Sequence, residues 1–214
     1  MSSTRAGVND PGRLEAGPAG QDLPGVLLAP GPDTGGPLRV RRAAPVDRTT
    51  LARMFARCTS QTRYERFHGH VNMIPDRYLA EALSGSPVHY AIVACADADR
   101  ADGGFAGSEH ADRIRDELPG AGGAVIVALA SCRAIAEGVA ELGILVEDRW
   151  QRHGIGGFLL HELIGYADRI GIRVLKAQIL SEQAWIVSVL QRYGTCHRAR
   201  AGYGTVDVTL RLRQ

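Results

Sequence analysis

The stretch EDRWQRHGIGGFLLHEL, residues 147–163, decides how this chain is read. Polar and charged residues run into Gly154, Gly156 and Gly157, and these lead straight into an apolar helical pattern. A helix start leaves about four backbone N–H groups without partners, and the helix dipole adds positive potential there. Glycine lets the main chain turn sharply and come close to a ligand. Such a turn suits a phosphate or pyrophosphate, with a plain tight turn as the other reading. Phe158 and Leu159 follow the glycines where a P-loop needs Lys and Ser or Thr. No G-x-G-x-x-G is present and no acidic residue ends the next strand, which excludes the dinucleotide fingerprint.

Outward from the turn, the pattern is α/β. VAELGILV at 139–146 predicts a strand feeding the turn, and the helix runs from Ile155 to about Ile170. Ile155, Phe158, Leu159, Leu163 and Tyr166 share its inward stripe. RVLKAQIL predicts a strand, EQAWIVSVLQRYG a helix ended by Gly194, and VDVTLRLR a closing strand. Upstream, PLRVRRA reads as a strand and APVDRTTLARMFARC as a helix with Pro45 in its first turn. PDRYLAEAL reads as a shorter helix, and VHYAIVAC and AVIVALASCR as apolar strands. Residues 97–123, between those strands, predict a mobile insertion. Residues 1–36 hold eight glycines and five prolines, which predicts a disordered tail, so that 37–214 form one domain.

The bulk numbers exclude several classes. A formal charge of +2 over 214 residues gives no reason to expect nucleic acid or an anionic membrane as partner. No apolar run approaches the ~20 residues of a membrane span, and the first 20 residues lack a signal core. Cys58, Cys95, Cys132 and Cys196 form no C-x-x-C pair, which argues against zinc and for a reduced, cytoplasmic protein. His68 and His70 lack partners of ligand type nearby, and HELIG at His161 lacks a second histidine, so no metal is expected.

Gln151-x-x-Gly154-x-Gly156 matches the Q/R-x-x-G-x-G/A pattern of the GNAT superfamily of N-acetyltransferases. AELGILVEDRWQRHGIGGFLLHELIGYADRIGI resembles that family's fourth strand, pyrophosphate loop and third helix, read continuously. VLKAQIL and SEQAWIVSVLQRYG resemble its fifth strand and fourth helix. The resemblance is strong over 136–194, weaker over 37–135 and absent before. It implies a mixed, mostly antiparallel sheet flanked by helices, with acetyl-CoA as co-substrate. Backbone amides of Gln151, Arg152, His153, Gly154, Ile155, Gly156 and Gly157 would hold the pyrophosphate, and Ile144, Leu145 and Val146 would line the pantetheine arm.

A protonated amine cannot attack a thioester, and a lysine amine with pKa near 10.4 is mostly protonated at neutral pH. The resemblance offers Glu141 as the base, with Glu137 as the second choice. Gln183 stands where many members have a cofactor-binding asparagine, and Leu190 where they have an acid tyrosine. Tyr193 lies three residues further on. SQTRYERFHGH, through Ser60, Arg63, Tyr64, Arg66 and Phe67, resembles the acceptor wall of the bacterial protein-lysine acetyltransferase branch. Related proteins join the domain to a cyclic-nucleotide module, for which this length leaves no room. The expected function is therefore acetyl transfer to a primary amine, either a protein lysine or a small amine such as an aminoglycoside, polyamine or amino acid. A CoA-binding module without turnover is the alternative.

Overall fold

The structure is a computed structural model and describes residues 26–28, 38–97, 124–202 and 204–213. Among the described residues, eight strands form one sheet: β1 (Val26–Leu28), β2 (Leu38–Arg42), β3 (His89–Asp97), β4 (Ala124–Ala136), β5 (Val139–Val146), β6 (Val174–Leu180), β7 (Gly194–Gly202) and β8 (Thr205–Leu212). Their order is β1-β2-β3-β4-β5-β6-β8-β7. Every pairing is antiparallel except β5 with β6. That single parallel step is bridged by the helix over Ile155–Arg169, since parallel neighbours need a long crossover connection.

The helices are α1 (Arg48–Arg57), α2 (Ser60–Phe67), α3 (Asp76–Leu83), α4 (Ile155–Arg169) and α5 (Trp185–Leu190). Two cores result, one on each face of the sheet. Leu51, Met54, Phe55, Leu79 and Leu83 pack with Val93, Ile126 and Leu145 on the face of α1–α3. Ile155, Leu159, Leu163, Val187 and Leu190 pack with Ile92, Ala140, Leu175 and Leu210 on the other. A strand covered on both faces must be apolar throughout, and all of His89–Ala96 is buried. Pro45 occupies the first position of a 3-10 turn that leads into α1. Asp47, 4% exposed, holds the Ala44 N–H at 2.8 Å and the Arg41 guanidinium at 2.6 Å.

Four expectations change. Residues 60–67, read as a connection, form α2. Residues 194–202 form β7, so Gly194 opens a strand rather than ending a helix. A Cβ there would collide with the Arg211 carbonyl oxygen, which explains glycine at that place. The helix expected from residue 182 begins at Trp185, after a 3-10 turn over Ser181–Gln183. Within the expected tail, Val26–Leu28 pairs with β2. The remainder of that tail, and residues 98–123 of the expected insertion, lie outside the described residues.

Candidate active site

The parallel pairing of β5 with β6 covers only Val139–Glu141 against Val174–Lys176. Beyond Glu141 the two strands part, and β6 pairs onward only with β8. The residues from Leu142 to Val146 thus face the gap, with no second strand paired to their peptide groups on that edge. Ile144, Leu145 and Val146, singled out in the sequence, line this stretch. Ile144 and Val146 pack toward α4 and Leu145 toward α1–α3. Helix α2 packs against both β5 and β6. His68, its left-handed C-cap at φ 50°, places Nε2 at 3.1 Å from the Gln178 carbonyl of β6.

The glycine turn sits at the open end of the gap. Arg152 and Gly154 both take left-handed conformations, at φ 64° and 80°. Alternating left- and right-handed residues turn successive N–H groups into one concavity, a form that receives anions. Left-handed backbone at Arg152 is costly for a residue with a Cβ, and such cost is commonly held at ligand sites. The first helical bond of α4 runs from Phe158 N–H to the Gly154 carbonyl, at 3.0 Å. Ile155, Gly156 and Gly157 precede it, so their N–H groups belong to the unpaired first turn. Built Cβ atoms at Gly154 and Gly157 meet nothing within 4 Å, so the space above the turn is open. Gln151 does more than lend its backbone. Its side-chain amide donates to the Val146 carbonyl and to Thr62 Oγ1, both at 3.1 Å.

Asp148 is the knot beneath the turn, and it escaped the sequence reading. Its Oδ1 accepts from the Thr59 and Thr62 hydroxyls at 2.7 and 2.8 Å, and its Oδ2 from the Thr59 N–H at 2.8 Å. One carboxylate thereby joins the turn to the start of α2. Burial pushes this carboxyl up, but the hydrogen bonds from Thr59 and Thr62 outweigh it and hold it below its ordinary value. A depressed carboxyl stabilises the fold above its unfolded-state pKa, near 3.9, and that share is lost as pH falls through the folded value. Urea midpoints between pH 6 and pH 2.5 should fall on the acid side, and Asp148→Asn should flatten that fall. An unchanged acid slope in the variant would remove Asp148 from this role.

Glu141 is the last paired residue before the gap, which puts it at the apex. Cross-strand register aligns His89, Arg133, Glu141 and Lys176 in one row on the α1–α3 face. Arg133 donates to Glu141 Oε2 at 2.6 Å, with both side chains close to half exposed. The two-residue turn at Glu137–Gly138 alone would set residue 134 opposite 141; a bulge between Ala134 and Ala136 shifts the register so that Arg133 pairs with Glu141. Glu137 itself lies exposed at the turn, outside the gap. His89 is 3% exposed, with Nδ1 3.8 Å from Glu81 Oε2. Burial, with the Arg133 charge second, lowers its pKa and favours neutral imidazole. Tyr78 shares a hydrogen bond of 2.9 Å with Ser131 on the same face.

The remaining sequence candidates separate. Gln183 lies at the end of β6, half-buried in its 3-10 turn. Leu190 is 3% exposed in the α4–α5 core, away from the gap. Tyr193 faces His161 of α4, with ring centroids 6.1 Å apart. Residue 190 is thus an apolar core position and supplies no acid. Burial raises the thiol pKa of Cys58 to about 12, assisted by Asp148 and Glu147, and that of Cys132 to about 11, so neither is a ready nucleophile. Among the described residues, no three His, Cys, Asp or Glu side chains group to hold a metal ion, and no helix is long and apolar enough to cross a membrane.

A parallel pair that splays over an anion-receiving helix start is the frame of an acyl-CoA-using transferase. Residues 89–194, about half the chain, match the sequence profile of the acetyltransferase (GNAT) family. The chain belongs to that family of acetyltransferases. Solved structures share the fold. The GNAT domain of S. lividans PAT matches with TM-score 0.62 and 20% identity, over 89% of this chain and 96% of that one. The yncA protein of Salmonella typhimurium, solved with acetyl-CoA, matches with TM-score 0.53 and 18% identity, over 83% and 95%. A mutant cAMP-binding acyltransferase from Mycobacterium smegmatis gives TM-score 0.50 and 21% identity, over 88% of this chain but 48% of its own. The present chain thus spans about half of that last protein. No curated protein matches the chain.

Proposed function

We propose that residues 37–214 form a domain that transfers the acetyl group of acetyl-CoA to a primary amine, with Glu141 as general base. The observation that carries this reading is Glu141 at the apex of the gap, on the strand that runs into the open N–H turn. The amides of 151–157 hold the pyrophosphate, and the free edge of Ile144–Val146 pairs with the pantetheine arm. Gln183 lies at the end of the neighbouring strand, where it would meet the same arm.

Glu141 takes a proton from the acceptor ammonium, and the neutral nitrogen attacks the thioester carbonyl. The N–C bond forms, the C–S bond breaks, the nitrogen releases its second proton to solvent to become the amide, and CoA leaves as thiolate, which takes up a proton from solvent. A thiol pKa near 8.5 makes that anion tolerable without an acid, in keeping with Leu190. The Arg133 ion pair keeps the Glu141 carboxylate oriented. The acceptor is a protein lysine or a small amine, and the likeness of 60–67 to a protein-lysine branch supports the former. A cytoplasmic location belongs to the same proposal, in keeping with the free cysteines. The buried Leu190 also favours a second reading, a module that binds CoA without turnover.

Calorimetric titration with acetyl-CoA, followed by thiol release over a panel of amines and lysine peptides, tests both. Binding with transfer supports the enzyme, and binding with no transfer to any amine supports the module. No uptake at millimolar acetyl-CoA rejects both.

A further inference from the structure

Arg66 lies on this face and the reaction scheme leaves it unused. Its guanidinium lies on the backbone of Gly143, so closely that a Cβ on residue 143 would fall inside it. Gly143 and Glu141 share a strand face and stand about 7 Å apart along it. Arg66 therefore reaches from α2 over the face of β5, immediately beyond the apex. The Phe67 and Tyr78 rings lie 4.8 and 5.0 Å from its Cζ and fix the planar group.

What it lacks is an anion. Arg41, Arg57 and Arg133 each hold a carboxylate: Asp47 at 2.6 Å, Glu147 at 2.7 Å and Glu141 at 2.6 Å. Arg66 has neither an ion pair nor a hydrogen bond among the described residues. A guanidinium held by ring faces, with its donors unspent, is prepared for a planar anion and suits a carboxylate through two parallel hydrogen bonds. The surrounding charge agrees. Arg133 and Lys176 flank Glu141 in the register row, and the nearby Glu81 is already engaged by Arg77 at 3.0 Å. A polyamine or aminoglycoside would bring further positive charge against three cations.

We propose that Arg66 is a carboxylate receptor in the acceptor pocket, so that the preferred amine carries a carboxylate near its reacting nitrogen. This rests on the acetyltransferase reading above and narrows it. The carboxylate belongs either to a free amino acid or to an acidic side chain beside a peptide lysine. Amino acids are compared with their amides, and peptides of lysine flanked by glutamate with the same peptides carrying glutamine, by thiol release. Wild-type protein should show kcat/KM higher by about ten- to a hundredfold for the carboxylate member of at least one set, the worth of a charge-assisted contact. The set that shows the preference identifies the source.

Arg66→Gln should bring the ratio close to one. Gly143→Ala, which keeps the charge but displaces it, should do the same, and either variant suffices if the other fails to fold. Equal rates on both members of every pair in wild-type protein would overturn the proposal while leaving the transferase intact. So would a preference that survives both substitutions. Thiol release from no amine at all, with acetyl-CoA bound, removes the transferase reading and this one together.

Discussion

Glu141→Gln lowers kcat about a hundred- to ten-thousandfold at neutral pH, the usual worth of a positioned base. The fold survives it. Glu141 and Arg133 are close to half exposed, and an ion pair of that kind contributes at most about 1 kcal/mol. Affinity for acetyl-CoA should also persist, because the residue stands on the acceptor side of the apex rather than in the turn. The deficit should then depend on pH in one direction. As pH rises toward the amine's own pKa near 10.4, solvent deprotonates the acceptor and the missing base matters less. Thiol release measured from pH 6 to 10.5 should show the two enzymes converging at the alkaline end. A variant with wild-type rate and an identical profile would remove Glu141 as the base. The His89–Glu81 pair on the same row would then be the next place to look.

Gly157→Asp separates anion binding from helix stability, because the two should move in opposite senses. Residue 157 is the third residue of α4, and a Cβ there meets nothing within 4 Å. A carboxylate in a first turn interacts favourably with the helix dipole, by about 0.3–1 kcal/mol, so the melting temperature should hold or rise. The same charge would face the pyrophosphate of the proposed cofactor site. At a separation of about 5 Å and an effective dielectric near 20, each charge pair costs about 3 kcal/mol before screening by salt. Calorimetry should therefore show acetyl-CoA affinity reduced by at least about a hundredfold, with part of the loss recovered at high ionic strength. Gly157→Ala, which adds the methyl group without the charge, serves as control and should bind within a few fold of wild type. Undiminished affinity in the aspartate variant would take the pyrophosphate away from this turn.

The sequence made some parts of this site legible and hid others, for physical reasons. The turn, β5 and α4 could be read because a strand, three glycines and an amphipathic stripe leave short-range marks. Helix α2 hid because SQTRYERF is mostly polar and wedges between strands instead of covering a core with a broad apolar face. Strand β7 hid for a related reason. At the sheet's edge it is exposed along most of its length, so GTCHRARAG shows no alternation to detect. Asp148 and Arg66 act across distances that no local pattern encodes: their partners Thr62 and Gly143 lie far along the chain and meet them only once α2 has docked. Gly143 illustrates the limit. In sequence it is a weak point in a strand, and only the structure gives the reason for it, an arginine from another helix lying on it.

The two margins of the sheet bear on how the protein behaves when concentrated. One margin, β1, is three residues long, and the other, β7, displays His197, Arg198 and Arg200 to solvent. Stacking two copies margin to margin would set guanidinium against guanidinium on one side and find almost no ladder to extend on the other. Fibrillar growth through these strands is thereby discouraged at its first step, and the molecule can be crowded without recruiting its neighbours into a common ribbon.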